Sequence, residues 1–289
     1  SNEAIEGLNN FNDVKTVDLK HLIKENNATE IVLSTTGFSS ETIQRLNRQL
    51  IQLFEEGTNI KSFETYYEEV TNRVPKEYLD YNFYKQINFS KNNDNSFYLF
   101  TQRVLDIFVS ILGLTFFIIL IPFLILGNLL ANRGSLFYMQ ERVGYKGKTF
   151  KILKLRSMVP NAEKDGAVWA QKNDKRITKF GKFLRNTRLD EFPQFFNIIK
   201  GDMSLIGPRP ERPVFVYDLE EKIPFYAIRH VVKPGLTGWA QVNYPYANTI
   251  DEQEKKLRYD LYYIKERSSF LDFKILIKTV STVLLMRGQ

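Results

Sequence analysis

The chain has 289 residues, 43% of them hydrophobic and 25% charged, and a formal net charge of +7. This balance is typical of a folded protein, and the length suffices for one large domain or two ordinary ones. The absence of cysteine excludes disulfides, thiol nucleophiles and thiolate metal sites, and two histidines are too few for a histidine-rich metal site. Any catalysis is therefore expected to use carboxylates, lysine, arginine and a hard metal ion.

The charge is unevenly distributed along the chain. Residues 1–96 carry 10 Lys and Arg against 15 Asp and Glu, a net of −5, whereas residues 97–289 carry 30 against 18, a net of +12. A basic half of this kind suits an anionic partner: nucleic acid, an anionic lipid surface or a phosphorylated substrate. The polar segment 90–96 is typical of a linker and predicts a domain boundary between residues 96 and 97.

The first 96 residues predict an α/β fragment. A short amphipathic helix (VDLKHLIKEN), a strand from Glu30 to Thr35, a long helix closed by Gly57 and a strand near 59–63 follow one another. This order is typical of a parallel, doubly wound sheet. Because no GxGxxG motif accompanies a strand, dinucleotide binding has no support, and a regulatory or assembly role is the expectation.

An uncharged run of 26 residues, 107–132, predicts a membrane-embedded helix, since about 20 apolar residues span a bilayer core. Pro122 lies inside the run and predicts a kink or break in the helix. Basic residues flank both ends, Arg103 on one side and Arg133 on the other, and such residues favour the cytoplasm. A single transmembrane span is the simpler interpretation, but a re-entrant helix, about 103–131, satisfies both flanks.

Alternation over Thr149–Leu155 predicts a strand, with Lys154 and Arg156 two residues apart and hence on one side. Two cations on one face suit a phosphate group, although a solvated strand face is equally compatible. Further on, Arg209 lies between Pro208 and Pro210, which present its guanidinium from a stiff backbone. Trp239 predicts a packed anchor, and Asp260 on a predicted aromatic-rich helix is compatible with a structural or a site role.

Asp190 and Glu191 are adjacent acids in the segment 180–210. Thr187, three residues before Asp190, resembles the start of a capping box, and Pro193 suits a first helical turn. Both acids are therefore predicted at a helix N-terminus, where the dipole stabilises carboxylates. Since successive helical residues diverge by about 100° around the axis, one acid is free to attack an electrophile while the other binds a metal.

Taken in this order, the motifs resemble those of the bacterial sugar transferases, the monotopic phosphoglycosyl transferases that act on polyprenyl phosphate. The resemblance covers residues 101–289 and is carried by RVLD (103–106), QERVG, KLRSM, RLDEFPQFFNIIKGDMSLIGPRPE, PGLTGWAQVN and RYDLYYI. Residues 1–96 resemble the later part of the Rossmann-like, CoA-binding-like domain of the large members. In those members four transmembrane helices precede this domain, so we expect the chain to be a truncated form of such a protein.

The resemblance implies an α/β protein with a Rossmann-like regulatory or assembly fragment (1–96) and a monotopic α/β catalytic domain (97–289) with a re-entrant membrane helix. The implied activity is that of a UDP-sugar:undecaprenyl-phosphate sugar-1-phosphate transferase, the first membrane step of capsule, exopolysaccharide or O-antigen synthesis. It releases UMP and leaves undecaprenyl-diphosphate-sugar. The implied location is the cytoplasmic face of the bacterial inner membrane, with membrane lipid as a partner and a homodimer as an option.

The resemblance also implies roles for individual residues. Asp190 would attack the sugar-proximal phosphorus to form an aspartyl-phosphosugar intermediate, and Glu191, together with Asp190, would hold Mg²⁺. The phosphate-binding residues would be Lys154, Arg156, Arg185 and Arg209, and the membrane helix would break at Pro122. Many members carry Ser-Pro at this break, whereas this chain has Ile121-Pro122.

Three alternatives stay open. A membrane-tethered nucleic-acid binder would use the basic half and its aromatic residues, but the motifs concentrate around acids and prolines, so no nucleic-acid partner is expected. An inactive membrane-anchored assembly scaffold would have no need of the intact Asp190-Glu191 pair. A glycosyltransferase that moves only the sugar would release UDP in place of UMP. The identity of the sugar is left open, because no motif reads the sugar ring.

Overall fold

The structure is a computed structural model of the chain and describes residues 18–34, 40–79, 90–160, 162, 166, 174–244 and 247–284. The chain divides into two compact units, Ser1–Glu77 and Tyr78–Gln289. Each unit contains helices and strands, as the sequence predicts for an α/β chain.

The first unit is built on two short parallel strands. In chain order its elements are α1 (Leu19–Asn26), β1 (Glu30–Leu33), α2 (Ser40–Glu55), β2 (Asn59–Ser62) and α3 (Phe63–Thr71). The strands pair in parallel with Ile31 opposite Ile60. Leu19, Leu46 and Leu53 form the core that covers them. The order of elements and the parallel pairing agree with the predicted pattern, while the Rossmann-like assignment stays a prediction.

The described residues of the second unit include a long apolar helix and two pairs of strands. Its elements are α4 (Ser96–Ala131), β3 (Phe137–Val143), β4 (Thr149–Leu155), α5 (Lys179–Asn186), α6 (Gln194–Lys200), β5 (Ser204–Ile206), α7 (Pro213–Lys222), β6 (Gly235–Thr237), α8 (Trp239–Asn243), α9 (Ile250–Glu266) and α10 (Ser269–Leu284). β3 and β4 form an antiparallel hairpin. β5 and β6 pair in parallel, and a side chain has no room where their backbones meet: a Cβ on Gly235 would lie 2.1 Å from the Gly207 nitrogen.

The segment 90–96, predicted to be a linker, packs on the second unit. Ser90 Oγ and Asn92 Nδ2 each donate to the Arg267 carbonyl at 2.8 Å, and Asn93 Nδ2 donates to the Ile264 carbonyl at 3.0 Å. These short polar side chains satisfy the free carbonyls at the end of α9. The division into units falls after Glu77, and the predicted boundary at 96/97 stays a prediction.

Among its described residues, the second unit has two apolar clusters in its core. One lies between α6, β5 and α8–α10, and Trp239, with 1% of its surface exposed, is packed there as predicted. Its buried members are Ile152, Ile198, Met203, Leu205, Ile206, Val232, Trp239, Tyr263, Ile264, Leu271 and Ile275. The other cluster joins Phe117 and Leu124 of α4 to Leu155 and Leu184. Burial of such side chains contributes about 1.5–3 kcal/mol each.

The apolar helix α4 is continuous over 36 residues, with Pro122 inside it. Of the predicted kink or break at Pro122, the interruption of the helix is therefore wrong, and the kink stays a prediction. The physical reason is that a proline removes only one backbone donor, and a helix absorbs this loss by bending. Within the described part of the chain, α4 is the one helix long and apolar enough to cross a membrane. Its outer face, Phe123 and Leu130 among others, is exposed.

Polar side chains hold both ends of α4 on the second unit. Near its start, Arg103 donates to the carbonyls of Ile198 and Ile199, at 2.6 Å each. At its end, Asn128 Nδ2 donates to the Gly134 carbonyl at 2.7 Å and Asn132 Nδ2 to the Arg156 carbonyl at 3.0 Å. The two ends of the helix, and the cluster around Phe117 between them, therefore belong to the same folded unit.

Candidate active site

The adjacent acids lie in a 3₁₀ turn, Leu189–Glu191, between α5 and α6. The predicted capping box is wrong: Thr187 ends α5, and its hydroxyl donates back to the Phe183 carbonyl at 2.9 Å. Arg188 starts the turn in the left-handed region, at φ 58°. Successive residues of a 3₁₀ turn point about 120° apart, so the two carboxylates meet different surroundings.

Three cations surround the Glu191 carboxylate. Its Oε1 accepts a hydrogen bond from Arg209 Nη2 at 3.0 Å, and Lys154 Nζ and Arg188 Nη1 lie 3.7 and 4.0 Å from the same oxygen. Burial by itself would raise the pKa of Glu191, but the charges of these cations outweigh it and hold the pKa well below its usual range. Glu191 is therefore a fixed anion of the site.

Asp190 is buried, with 8% of its surface exposed. Within the described ranges, its carboxylate has no hydrogen bond and no ion pair, although Lys154, Arg185 and Arg188 act on it electrostatically. Burial, and then the charge of Glu191, raise the pKa of Asp190 to about 6. The pair thus combines a carboxylate held by cations with a buried carboxylate whose oxygens are uncommitted.

Lys154 and Arg185, both predicted from the sequence to bind phosphate, lie beside the acids. Lys154 is on β4, and burial, with the charge of Arg209, lowers its pKa to about 8. Arg185 is in the last turn of α5 and donates from Nε to Ser157 Oγ at 2.9 Å. The structure therefore brings together Lys154, Arg185 and Arg209 with Asp190 and Glu191.

Arg156 lies elsewhere. β4 ends at Leu155, so the strand alternation that would place Arg156 beside Lys154 does not extend to it. Its guanidinium donates to the carbonyls of Ser135 at 2.8 Å and Asn132 at 3.1 Å, just beyond the end of α4. The hydrogen bonds and ion pairs of the described residues do not connect Arg156 with the acids. Its geometry is that of a support for the helix end.

The acid turn packs directly against the apolar helix. Phe192, which follows Glu191, has its ring centroid 5.8 Å from that of Phe116 and 6.3 Å from that of Phe117. Phe195, one helical turn further, lies over Gly113 so closely that a Cβ there would be 2.4 Å from its ring. The carboxylates therefore lie one residue away from the side chains that contact α4.

A sequence model of the bacterial sugar transferases matches residues 97–286 of the chain, about two thirds of its length. The chain belongs to this family. The match covers the apolar helix, both acids and the cations around them. It confirms the resemblance seen in the sequence motifs.

Individual relatives of this bacterial sugar transferase agree with the match. One relative is the UDP-N-acetylgalactosamine-undecaprenyl-phosphate N-acetylgalactosaminephosphotransferase of Aeromonas hydrophila. The chain is 45% identical to it over 187 residues, which cover 65% of this chain and 44% of the relative. The chain also matches two UDP-glucose:undecaprenyl-phosphate glucose-1-phosphate transferases. It is 45% identical to that of Klebsiella pneumoniae over 151 residues, which cover 52% of this chain and 32% of the relative. It is 42% identical to that of Escherichia coli strain K12 over 153 residues, which cover 52% of this chain and 33% of the relative. The matches thus span less than half the length of these relatives.

Several charged residues of this transferase were not predicted from the sequence. Arg188 contacts Glu191, and its place two residues before Asp190 was the available signal. A second group surrounds the Arg209 loop: Arg142, Glu211, Arg229 and Lys256. Only Glu211, which follows the Pro-Arg-Pro sequence directly, was marked by its position. Asp260, compatible with two roles in the sequence, pairs with Arg229 at 2.8 Å.

The resemblance to the family implies a divalent cation at the acids. Among the described residues there is no group of three or more His, Cys, Asp or Glu side chains that would enclose a metal ion. Asp190 and Glu191 supply two carboxylates, of which Asp190 has uncommitted oxygens. Mg²⁺ binds through one or two carboxylates and completes its shell with water and phosphate oxygens. The residues present therefore fit Mg²⁺ bound together with a phosphorylated substrate.

Proposed function

We propose that this transferase moves a phosphosugar from a UDP-sugar to undecaprenyl phosphate, releasing UMP and leaving undecaprenyl-diphosphate-sugar. The observation that carries the proposal is the buried, uncommitted carboxylate of Asp190 beside a carboxylate fixed by three cations. The activities for which the relatives are named support both substrates. The reaction would be the first membrane step in the synthesis of a capsule, exopolysaccharide or O-antigen.

In the first step an oxygen of Asp190 attacks the phosphorus next to the sugar. The new O–P bond forms as the bond from that phosphorus to the bridging oxygen breaks, and UMP leaves with the bridging oxygen and its electron pair. In the second step an oxygen of undecaprenyl phosphate attacks the same phosphorus, and the Asp190 O–P bond breaks. The carboxylate is regenerated, and the bond between sugar and phosphate is never broken.

The cations give this chemistry its electrostatic support. Phosphoryl transfer depends mainly on positioning and on neutralising the charge of the phosphate oxygens. Lys154, Arg185, Arg188 and Arg209 act on the acid pair in the absence of substrate. When the diphosphate enters, these side chains provide its counter-charge, and Arg209 offers a bidentate donor.

Mg²⁺, held by Asp190 and Glu191 together with phosphate oxygens, would supply further neutralisation of the diphosphate. In this arrangement Glu191 is an anion at every pH near neutrality, because the cations beside it hold its pKa low. Asp190, with a pKa raised to about 6, is mostly ionised at neutral pH and hence competent as a nucleophile.

We further propose that α4 is a re-entrant membrane helix whose two ends return to the cytoplasmic face of the inner membrane. The attachment of Arg103 and Asn132 to the same unit supports this placement. The basic half adds attraction to anionic lipid, about 1 kcal/mol per Lys or Arg near the surface. A lipid-linked acceptor would then reach the acids along α4, through the region where Phe192 contacts it.

The proposal leaves open which sugar is transferred and whether the protein is a monomer or a homodimer. Relatives are named for N-acetylgalactosamine phosphate and for glucose phosphate, so UDP-N-acetylgalactosamine and UDP-glucose are the first candidates. A homodimer and a regulatory or assembly role for residues 1–96 remain proposals drawn from the resemblance to the large members.

The test is the nucleotide product. Purified protein in detergent is incubated with Mg²⁺, undecaprenyl phosphate and each UDP-sugar in turn, and UMP and UDP are separated by chromatography. We expect UMP with at least one sugar, and none from Asp190→Asn, which keeps the size of the side chain but removes the nucleophilic charge. UDP as the product would contradict the covalent phosphosugar mechanism.

The covalent intermediate has its own measurement. With a UDP-sugar labelled in the phosphate next to the sugar and no lipid acceptor, we expect label on the protein, released when undecaprenyl phosphate is added. Glu221→Gln, an exposed carboxylate on α7, is the matched control and should retain labelling. Labelling of Asp190→Asn would exclude Asp190 as the nucleophile.

A further inference from the structure

Two buried ion pairs lie behind the loop that carries Arg209. Arg229 Nη2 is 2.8 Å from Asp260 Oδ2, and Lys256 Nζ is 2.7 Å from Glu211 Oε1. All four side chains are more than nine-tenths buried. Removing charges from water is costly, and apolar side chains in place of a buried ion pair often give equal or higher stability. Stability alone therefore does not explain why these four positions are charged.

The hydrogen bonds of this group converge on three successive carbonyls. Arg229 Nη2, besides its contact with Asp260, donates to the carbonyl of Arg209 at 2.9 Å. Arg142 Nη1 donates to the carbonyl of Pro210 at 3.1 Å. The backbone nitrogen of Val143 donates to the carbonyl of Glu211 at 2.9 Å. The backbone of the loop is therefore held at three successive residues.

We propose that Asp260, acting through Arg229, is a positioning residue that fixes the backbone of Arg209 so that its guanidinium meets Glu191. The path consists of three contacts: Asp260 to Arg229, Arg229 to the Arg209 carbonyl, and Arg209 Nη2 to Glu191 Oε1 at 3.0 Å. Its value for catalysis rests on the proposed function. The geometry of the path does not.

The loop transmits a displacement because it is stiff. Pro208 and Pro210 fix φ on both sides of Arg209, so a shift of the Arg209 carbonyl moves its side chain as well. Arg229 is a donor with a fixed fork, and its remaining contacts are with Tyr226, whose hydroxyl accepts from Nη1 and whose ring lies 5.0 Å from the guanidinium carbon. Asp260 and Glu211 are the carboxylates whose charges act on Arg229, and Asp260 is the one that accepts a hydrogen bond from it. Without the charge of Asp260, we expect Arg229 to be held less firmly against the Arg209 carbonyl.

The kinetic test is a double-mutant cycle between Asp260 and Arg209. Asp260→Asn keeps the shape of the side chain and removes its charge, and we expect kcat for UMP release to fall about 10-fold, as for other supporting groups of a site. In an Arg209→Gln background the same change should have almost no effect, because the residue through which Asp260 acts is gone. Equal losses in both backgrounds would overturn the proposal.

The matched control is Asp272→Asn. Asp272 is also a buried carboxylate and accepts hydrogen bonds from the hydroxyls of Tyr98 and Tyr263. It has no contact with the path to Arg209 among the described residues. Any loss it causes through stability should therefore be the same with and without Arg209→Gln. Asp260→Glu, which restores the charge, should recover part of kcat.

A spectroscopic readout separates this proposal from the proposed function. In protein labelled with ¹⁵N-arginine, the Arg209 Nε–H signal is assigned with Arg209→Lys. We expect Asp260→Asn to shift it and Asp272→Asn to leave it in place, whether or not the protein releases UMP. A signal unmoved by Asp260→Asn overturns the proposal even in an active enzyme. If Asp260→Asn fails to fold, Arg229→Lys, which keeps the charge but loses the fork, takes its place in both tests.

Discussion

Phe117 and Phe192 stack with their ring centroids 6.3 Å apart, and this contact joins the apolar helix to the residue that follows Glu191. Phe192 also contacts Phe195 edge to face at 5.5 Å. Side chains packed at interior density transmit displacements instead of absorbing them. The position of α4 is therefore coupled to the position of the acid turn, which matters for a reaction whose proposed acceptor is a lipid.

Replacing Phe192 with alanine should loosen this coupling. We expect Phe192→Ala to lower the free energy of unfolding by about 2 kcal/mol, less than for a fully buried phenylalanine, and to reduce UMP release. Denaturant titration and the UMP assay measure the two effects. Phe196→Ala is the matched control, since Phe196 is on α6 but 55% exposed; equal losses from both variants would contradict the coupling.

Gly181 on α5 has no room for a side chain. A Cβ there would lie 1.8 Å from the carbonyl oxygen of Ser157, whose hydroxyl accepts from Arg185 at 2.9 Å. Gly181→Ala should therefore push Ser157 away, cost about 2 kcal/mol of stability and free Arg185 from its hydrogen bond. We expect a raised KM for the UDP-sugar and a lowered melting temperature. Lys182→Ala, exposed on the same helix, should change neither.

Local patterns in the sequence predicted the local structure well. The strand Thr149–Leu155 has the bounds that the alternation predicted, and β1 and β2 pair in parallel as the order of elements suggested. Trp239 is buried as expected. The strand bounds depend on residues close to one another in the chain, and the parallel pairing of β1 with β2 follows from the order of elements. A local pattern also produced the error at Thr187, which serves the end of one helix instead of the start of the next.

The ionic group behind Arg209 was beyond sequence analysis for a physical reason. Glu211 and Lys256 are 45 residues apart, and Arg229 and Asp260 are 31 apart. A charged residue in a sequence is expected at the surface, and only the packing of α9 shows that these are buried. Arg156 shows the opposite error. Because it lies two residues after Lys154, the sequence assigns it to the same face of the strand, but β4 ends at Leu155, before Arg156.

Removal of divalent cations should stop the proposed reaction. Two adjacent carboxylates favour an oxygen-preferring ion that keeps waters or phosphates as ligands, so EDTA is expected to abolish UMP release and Mg²⁺ to restore it. Mn²⁺ bound in the presence of UDP-sugar can be counted by electron paramagnetic resonance. We expect Asp190→Asn to weaken this binding and Glu221→Gln to leave it unchanged. Full activity in EDTA would exclude a required metal ion.

His230 should make stability depend on pH. Its Nε2 is buried without a hydrogen-bond partner among the described residues, and burial, together with the charge of Arg229, lowers the pKa of His230 to about 4. The folded state therefore favours the neutral ring, whereas the unfolded chain protonates near pH 6.5. The contribution is fully present above pH 6.5 and is lost as the pH falls from there through about 4.

At its full size this contribution is about 3 kcal/mol, since each pH unit between the two pKa values corresponds to roughly 1.4 kcal/mol. Buried acids such as Asp190, with a raised pKa, act in the opposite direction over the same range, so the total curve does not isolate the histidine. The histidine is isolated by the difference in the free energy of unfolding between the unmodified protein and His230→Gln. We expect that difference to change by up to about 3 kcal/mol between pH 7 and pH 4 in urea titrations, because at position 230 the histidine takes up a proton on unfolding and the glutamine does not. A difference independent of pH would mean that the ring takes up a proton in the folded protein as readily as in the unfolded chain, which would contradict the lowered pKa.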